Sequence, residues 1–352
     1  MVPKTPNSLQ LRDAPVPTPG KREVLLRVLR VGICGTDRDI ISGFYGEAPA
    51  GADYLILGHE SLSRIEKLGP GFKDLKVGDL VVPTVRRSCP ENCVSCRHHE
   101  SDMCYTGHYF EHGIKGLNGF AAEYATTDST YIVKMPESLS ELGVLLEPLT
   151  IVEKGLLQTY NLQKSRLIWE PEKALVLGAG PVGILATAVL RLKGLQVDTV
   201  ATRSKDSMKA QLVESTGAKY INSNETPLSS LAGQYDFVFE LTGNPGVAYS
   251  AQDLIRVNGI VCYLGIYRED QENQNVGKVF TELVLGNKLH FGSVNANISY
   301  FRDGAKDLVK IRKKWPNLLS SMITRKGSPD DPQKIYSPES PEEIKSIVEF
   351  GK

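Results

Sequence analysis

The feature that most constrains this chain is a glycine pattern set between two kinds of hydrophobic run. Residues 173–177 (Lys-Ala-Leu-Val-Leu) read as a short buried strand. Gly178, Gly180 and Gly183 follow in the spacing G-x-G-x-x-G, with Ala179, Pro181 and Val182 between them. Residues 184–193 then carry apolar side chains at helical spacing. In a strand–turn–helix context the glycines permit a tight turn and close backbone approach, and the helix N-terminus turns its N–H groups toward a pyrophosphate.

Taken alone the pattern is weak, but the segments after it keep alternating. Strand-like runs at 197–201, 219–221, 236–240 and 259–264 are interleaved with helical runs at 206–215 and 247–257. That alternation predicts an α/β unit with a doubly wound parallel sheet and helices on both faces. A dinucleotide lies across the carboxyl ends of such strands. Thr242 and Leu264, at two of those ends, therefore join Gly178, Gly180, Pro181, Val182 and Gly183 as expected cofactor contacts. The end of the second strand selects the dinucleotide. An NAD site places Asp or Glu there to bond the ribose 2′-OH, whereas this chain has Thr202, Arg203, Ser204 and Lys205. Asp198 lies at the wrong end of the strand. A neutral residue followed by cations suits a 2′-phosphate, so NADP is expected, with NAD also accepted. The competing reading is a solvated basic loop.

At 352 residues the chain exceeds the roughly 250–300 that one hydrophobic core supports, so two domains are expected. The 41 basic and 41 acidic side chains cancel, which argues against a dedicated nucleic-acid or anionic-membrane binder. The longest apolar-leaning stretch, 182–192, falls short of the ~20 residues of a membrane helix and carries Arg191. Residues 1–19 are polar and proline-rich, without the apolar centre of a signal peptide. A cytoplasmic enzyme is the expectation.

Four of the six cysteines, Cys89, Cys93, Cys96 and Cys104, crowd into one polar stretch. In a reducing compartment the spacing C-x3-C-x2-C-x7-C fits four thiolates on one Zn²⁺, a closed structural site that supplies stability rather than chemistry. Free thiols or disulfides are the alternative. Cys262, inside an apolar run, reads as a small core residue. Cys34 differs, because it ends an alternating strand (24–33) and is matched by His59 and Glu60 just after a second apolar run. A thiolate, an imidazole and a carboxylate make a three-ligand set that leaves a fourth position open, the pattern of a catalytic zinc.

Together these features resemble the zinc-dependent medium-chain dehydrogenases, and within them the archaeal-type glucose 1-dehydrogenases. The resemblance covers nearly the whole chain. It rests on Gly32-Ile-Cys-Gly-Thr-Asp37, Leu57-Gly-His-Glu60, Gly78-Asp-Leu-Val-Val-Pro83 and Arg86-Arg87, with Glu147-Pro-Leu149, the Gly178 turn and Gly292-Ser-Val-Asn295. It implies a GroES-like, mostly β catalytic domain from 1–151 and 296–352, with the structural zinc lobe at about 86–106. A Rossmann domain at 152–295 is then inserted between them. By this resemblance Cys34, His59, Glu60 and Glu147 are the catalytic zinc ligands, Glu60 and Glu147 exchanging with ligation state. Asp37 orients His59, and Thr36 bonds the reacting hydroxyl. Glu111, Glu147 and Asn295 contact the sugar, and Asn295 the cofactor as well.

The implied reaction oxidises a glucose-like aldose at C1 to the aldonolactone, with two zinc ions and NADP or NAD per chain. A homotetramer is implied too. The chain departs from the family pattern in four places, one of them the x3 rather than x2 first gap of the cysteine lobe. Asp39 stands where the classical alcohol dehydrogenases have a histidine, and Val85 and Leu285 stand where relatives have polar sugar contacts. Rival readings are a zinc polyol dehydrogenase of the sorbitol or threonine type, a zinc-free quinone or enoyl reductase, and a non-catalytic zinc-ribbon binding protein.

Overall fold

Six strands, all paired in parallel, run through the second half of the chain: Lys173–Leu177, Gln196–Ala201, Lys219–Asn222, Tyr235–Glu240, Ile255–Tyr263 and Leu289–Gly292. Numbered along the chain, they lie side by side in the order 3-2-1-4-5-6. This is the doubly wound order, and its reversal falls between the first and fourth strands. The computed structural model that shows this describes residues 1–72, 74–270, 275–338 and 340–351.

The glycine turn forms for the reasons its spacing implies. Gly178 sits at φ +110°, where a side chain is strained, and a Cβ on Gly183 would collide with the Gly178 carbonyl. Pro181 occupies the first helical turn, so its missing N–H loses nothing. The helix Pro181–Leu192 then buries everything from Gly183 to Leu190. Downstream the register differs from the periodicity. The helix expected at 247–257 is Pro245–Leu254, capped by the Asn244 side chain accepting from Val247 N–H at 3.0 Å. The next strand starts at Ile255 rather than 259, because β-branched Ile255 and Val257 favour extended backbone.

The chain divides into two compact units. One comprises Met1–Thr150, Asn295–Val309 and Leu319–Lys352, the other Ile151–Val294 and Lys310–Leu318. Residues 310–318, which bury Ile311 and Leu318, thus group with the nucleotide unit, whereas the reading above kept 296–352 together. In the first unit the strand Glu23–Ile33 is the hub. It pairs antiparallel with Glu60–Leu68, Tyr124–Asp128 and Lys345–Glu349. Its alternating Val24, Leu26 and Val28 are buried with Ile65, Val81 and Phe120 in one core. Among the described residues no helix is long and apolar enough to cross a membrane.

Candidate active site

Cys34 lies where the hub strand gives way to the short helix Gly35–Ile41, and it serves as that helix's cap. Its Sγ accepts the Thr36 N–H at 3.2 Å, while its own N–H donates to Asp37 Oδ2 at 2.9 Å. The strand Glu60–Leu68 pairs with the hub so that Gly32 faces Glu60, which brings His59 beside the cap. His59 Nε2 is 3.1 Å from Cys34 Sγ, and Nδ1 faces Asp37 Oδ1 at 3.5 Å. The Asp37 carboxylate thus stands behind the imidazole, on the side of the ring away from Cys34.

The electrostatics are those of a ligand set drawn together. Burial disfavours the charged imidazole, yet Cys34 and Asp37 outweigh it and raise His59 well above its usual range. Burial also works against Asp37, but His59 and the Cys34 N–H hold it low. Glu147, in the first turn of the helix Leu146–Lys164, meets His59 and Glu60 with ligand atoms all within 4.8 Å of one another. Burial, opposed by His59 and reinforced by Glu60, lifts its carboxyl to about 7. Cys34, Asp37 and His59 make one cluster of close ligand atoms and His59, Glu60 and Glu147 a second that shares the imidazole, and sulfur, imidazole and carboxylate donors of this kind fit a zinc ion.

Lys345 is a neighbour that no motif announces. Its Nζ forms an ion pair with both Glu60 oxygens, at 2.7 Å to Oε1, and donates to the Ile33 carbonyl at 3.2 Å. Both side chains are only 2% exposed. Glu60 is thus turned to an internal cation as well as to the site. Tyr45, likewise unread, hydrogen-bonds with Thr36, and burial raises its phenol. No motif surrounds either residue, so only the fold reveals them.

The four clustered cysteines are all free thiols, with ligand atoms within 4.8 Å of one another. Cys93 Sγ and Cys104 Sγ lie 3.9 Å apart. Zinc–sulfur bonds of about 2.3 Å in a tetrahedron put sulfurs about 3.8 Å apart, whereas a disulfide needs about 2.05 Å. The N–H of Cys93 points at Cys89 Sγ and that of Cys89 at Cys96 Sγ. Without metal, burial pushes Cys96 up to about 12, while the Cys96 N–H draws Cys93 down to about 6. Cys262 is buried in the sheet of the other unit, its thiol raised by burial.

Glu111 stands opposite Arg86 in a short antiparallel ladder. Its Oε1 accepts from Arg86 Nε at 3.0 Å and from Asn295 Nδ2 at 2.7 Å, Asn295 adopting φ +57°. Val85 is buried, and Leu285 is 76% exposed at the end of the helix Val276–Leu285.

In the nucleotide unit, Gly178, Gly180, Pro181, Val182 and Gly183 form the turn at the reversal point. Thr242 donates its N–H to Glu240 Oε1 at 2.8 Å and its hydroxyl to the same carboxylate, and Leu264 N–H donates to the Glu240 carbonyl. The 202–205 loop is held by its backbone: Thr202 O accepts from Asn224, and Arg203 O from the Tyr220 hydroxyl. Ser204 Oγ accepts the Asp206 N–H. Lys205 is engaged by Glu225 at 3.1 Å, while the exposed Arg203 has no ion-pair partner among the described residues. Asp198 is buried, bonded to Lys173 and Tyr235 far from that loop.

Comparison with known proteins agrees with this layout. The alcohol dehydrogenase GroES-like domain family matches residues 20–137, and the glucose dehydrogenase C-terminus family matches 140–350. Glucose 1-dehydrogenase 1 of Caldivirga maquilingensis is 46% identical, over 100% of this chain and 98% of that protein. The glucose 1-dehydrogenase of Methanocella arvoryzae is 43% identical, again over 100% and 98%. A solved glucose dehydrogenase from Haloferax mediterranei, in complex with NADP, Zn and gluconolactone, superposes with a TM-score of 0.88 at 33% identity, covering 97% of this chain and 96% of that one. A likeness of that strength along the whole length, in sequence and in fold, places the chain in the glucose 1-dehydrogenase family of zinc-dependent medium-chain dehydrogenases.

Proposed function

We propose that this protein is a zinc-dependent aldose 1-dehydrogenase, converting a glucose-like aldopyranose to its aldonolactone with NADP as preferred acceptor and NAD as a poorer one. The observation that supports it most is that His59 meets Cys34 on one side and Glu60 and Glu147 on the other, in a chain with full-length likeness to glucose 1-dehydrogenases. Cys34 and His59 would hold the catalytic ion, with Glu60 or Glu147 as a further ligand. When bound, zinc supplies Lewis-acid polarisation of the C1 hydroxyl, and the nicotinamide accepts hydride from C1.

The chain's own side chains do the rest. Asp37 and the Thr36 N–H fix the imidazole and the sulfur. The Thr36 hydroxyl, hydrogen-bonded with Tyr45, accepts the proton leaving the sugar while passing its own on to water or a carboxylate. Glu147, with its carboxyl lifted to about 7, bonds a sugar hydroxyl as acceptor or as donor. Glu111 and Asn295 grip another part of the ring. The Gly178 turn receives the pyrophosphate, and Arg203 grips the 2′-phosphate with its planar fork. Cys89, Cys93, Cys96 and Cys104 hold a second, structural zinc.

All six cysteines are free, which supports a reducing, cytoplasmic setting. Homo-oligomerisation is supported by the helix Val276–Leu285, which buries none of its residues and exposes Val276, Phe280, Val284 and Leu285. It precedes Leu289–Gly292, the edge strand of its sheet, and a two-fold axis there would pair that edge with its own copy. The deciding experiment is initial rates over a panel of aldoses and polyols with both dinucleotides, alongside metal analysis. Turnover of aldoses with two zinc ions per chain is expected. Oxidation of polyols with aldoses untouched would overturn the reading.

A further inference from the structure

We propose that Arg86 is a positioning residue for the sugar pocket, and that through it sugar affinity depends on the folded cysteine lobe. The inference rests on the reading of Glu111 as a sugar ligand. Arg86 and Glu111 face each other across the ladder between Arg86–Arg87 and Phe110–His112. Arg86 Nε donates to Glu111 Oε1 at 3.0 Å, and Nη1 of the same guanidinium donates to the Asp102 carbonyl at 3.2 Å. Its flat face lies over the Tyr109 ring, with Cζ 3.6 Å from the ring centroid. Asp102 belongs to the short turn Ser101–Met103, immediately before Cys104. One planar group is thus held at three points, two of them fixed by the lobe and the strand that follows it.

A second path closes the circuit. Asn295 Nδ2 donates to the same Glu111 Oε1 at 2.7 Å, and two residues on, Asn297 Nδ2 donates to Asp102 Oδ1 at 3.1 Å. Glu111, Arg86, Asp102, Asn297 and Asn295 therefore form a closed polar ring, with Glu111 and Asp102 as its two acid corners. Both bonds to Glu111 fall on Oε1, and Oε2 has no hydrogen-bond partner among the described residues. Two donors on one oxygen set the rotation of the carboxylate, so Oε2 is the atom presented to a ligand hydroxyl, which is a donor. Lysine would keep the charge at this place but lose the fork and the stacking plane. Arg86 thereby sets where Glu111 points.

The test is calorimetric titration of glucose into the zinc-loaded NADPH complex, which binds without turnover. Losing a charge-assisted hydrogen bond that orients the carboxylate is expected to raise the glucose Kd roughly tenfold in Arg86→Lys, leaving the NADPH Kd and zinc content unchanged. Glu111→Gln should weaken glucose by itself, and Arg86→Lys should then add nothing further, because the residue it positions is already lost. A lower melting temperature with an unchanged glucose Kd would make Arg86 merely structural and overturn the inference, as would full additivity with Glu111→Gln. If Glu111→Gln alone leaves the Kd unchanged, the reading of Glu111 falls and the inference falls with it. A weakened Glu111→Gln beside a silent Arg86→Lys overturns the inference alone. Should Arg86→Lys fail to fold, Asn297→Ala opens the same ring from the other side. A rise of about threefold in glucose Kd is expected from that variant, and no change overturns the proposal.

Discussion

Replacing Lys345 by Met is expected to be among the most damaging single changes outside the apolar core. Lys345 and Glu60 are each 1% exposed, and the ammonium bonds both carboxylate oxygens and the Ile33 carbonyl. Removing one partner of such a buried pair leaves a charge without compensation, at about 3–5 kcal/mol. The stranded carboxylate has one escape, which is to take up a proton. A glutamate in water needs about 3.7 kcal/mol to be protonated at pH 7, from 2.7 pH units at about 1.36 kcal/mol each. The loss is therefore capped near 4 kcal/mol at neutral pH and shrinks to about 1 kcal/mol at pH 5, where protonation is cheaper. Urea denaturation of the metal-free variant, followed by circular dichroism at both pH values, measures this directly. Adding Glu60→Gln should restore most of the lost stability. A loss below about 1 kcal/mol at pH 7, or one equal at the two pH values, would refute the reasoning.

Three further outcomes are expected. Arg203→Ala should lower kcat/KM for NADP roughly ten- to a hundredfold through loss of a charge-assisted bond, with NAD little affected, and steady-state kinetics with both dinucleotides decides. Cys96→Ser should lower the melting temperature and the zinc content by one ion per chain, while Cys34→Ser should abolish turnover with the fold largely kept. Burial, helped by Arg87, holds His112 at about 3, so the unfolded chain binds its proton first as pH falls. The resulting penalty is absent above about pH 6.5 and grows by about 1.4 kcal/mol per pH unit from there down to about pH 3, a slope that His112→Phe should remove from pH-dependent denaturation curves.

The nucleotide unit was legible because its signals are local. Gly178 and Gly183 must be glycine for backbone reasons, and strands such as Lys173–Leu177 advertise burial by continuous apolar runs. The zinc-type clusters were legible as residue types at telling spacings. Lys345 was not, because a lysine in sequence carries no sign that it will be 1% exposed against a glutamate 285 residues away. In the sequence Arg86 is only one of a pair of arginines, and its fork acquires meaning from the ladder and the turn that meet it. The helix Val276–Leu285 buries none of its residues, so its apolar face covers no core. In the basic loop the sequence already marks Arg203 as the phosphate grip and Lys205 as a second charge, and tertiary structure adds that Glu225 engages Lys205.

The pairing of the hub strand has a consequence for how the chain comes off the ribosome. Arg30 and Glu349, neighbours across that sheet, are 319 residues apart in the chain. Five of the six strands of the parallel sheet, by contrast, lie between 173 and 263 and are available much earlier. The nucleotide unit can therefore close while the unit that began first is still waiting for its final strand. Throughout that wait Arg30–Ile33 at the end of the hub strand keep an unpaired edge, although Glu23–Arg27 are already covered by Tyr124–Asp128. Nascent chains of this design are exposed to aggregation for most of their synthesis. A truncation that removes Lys345–Glu349 should accordingly yield insoluble product rather than a soluble, inactive enzyme.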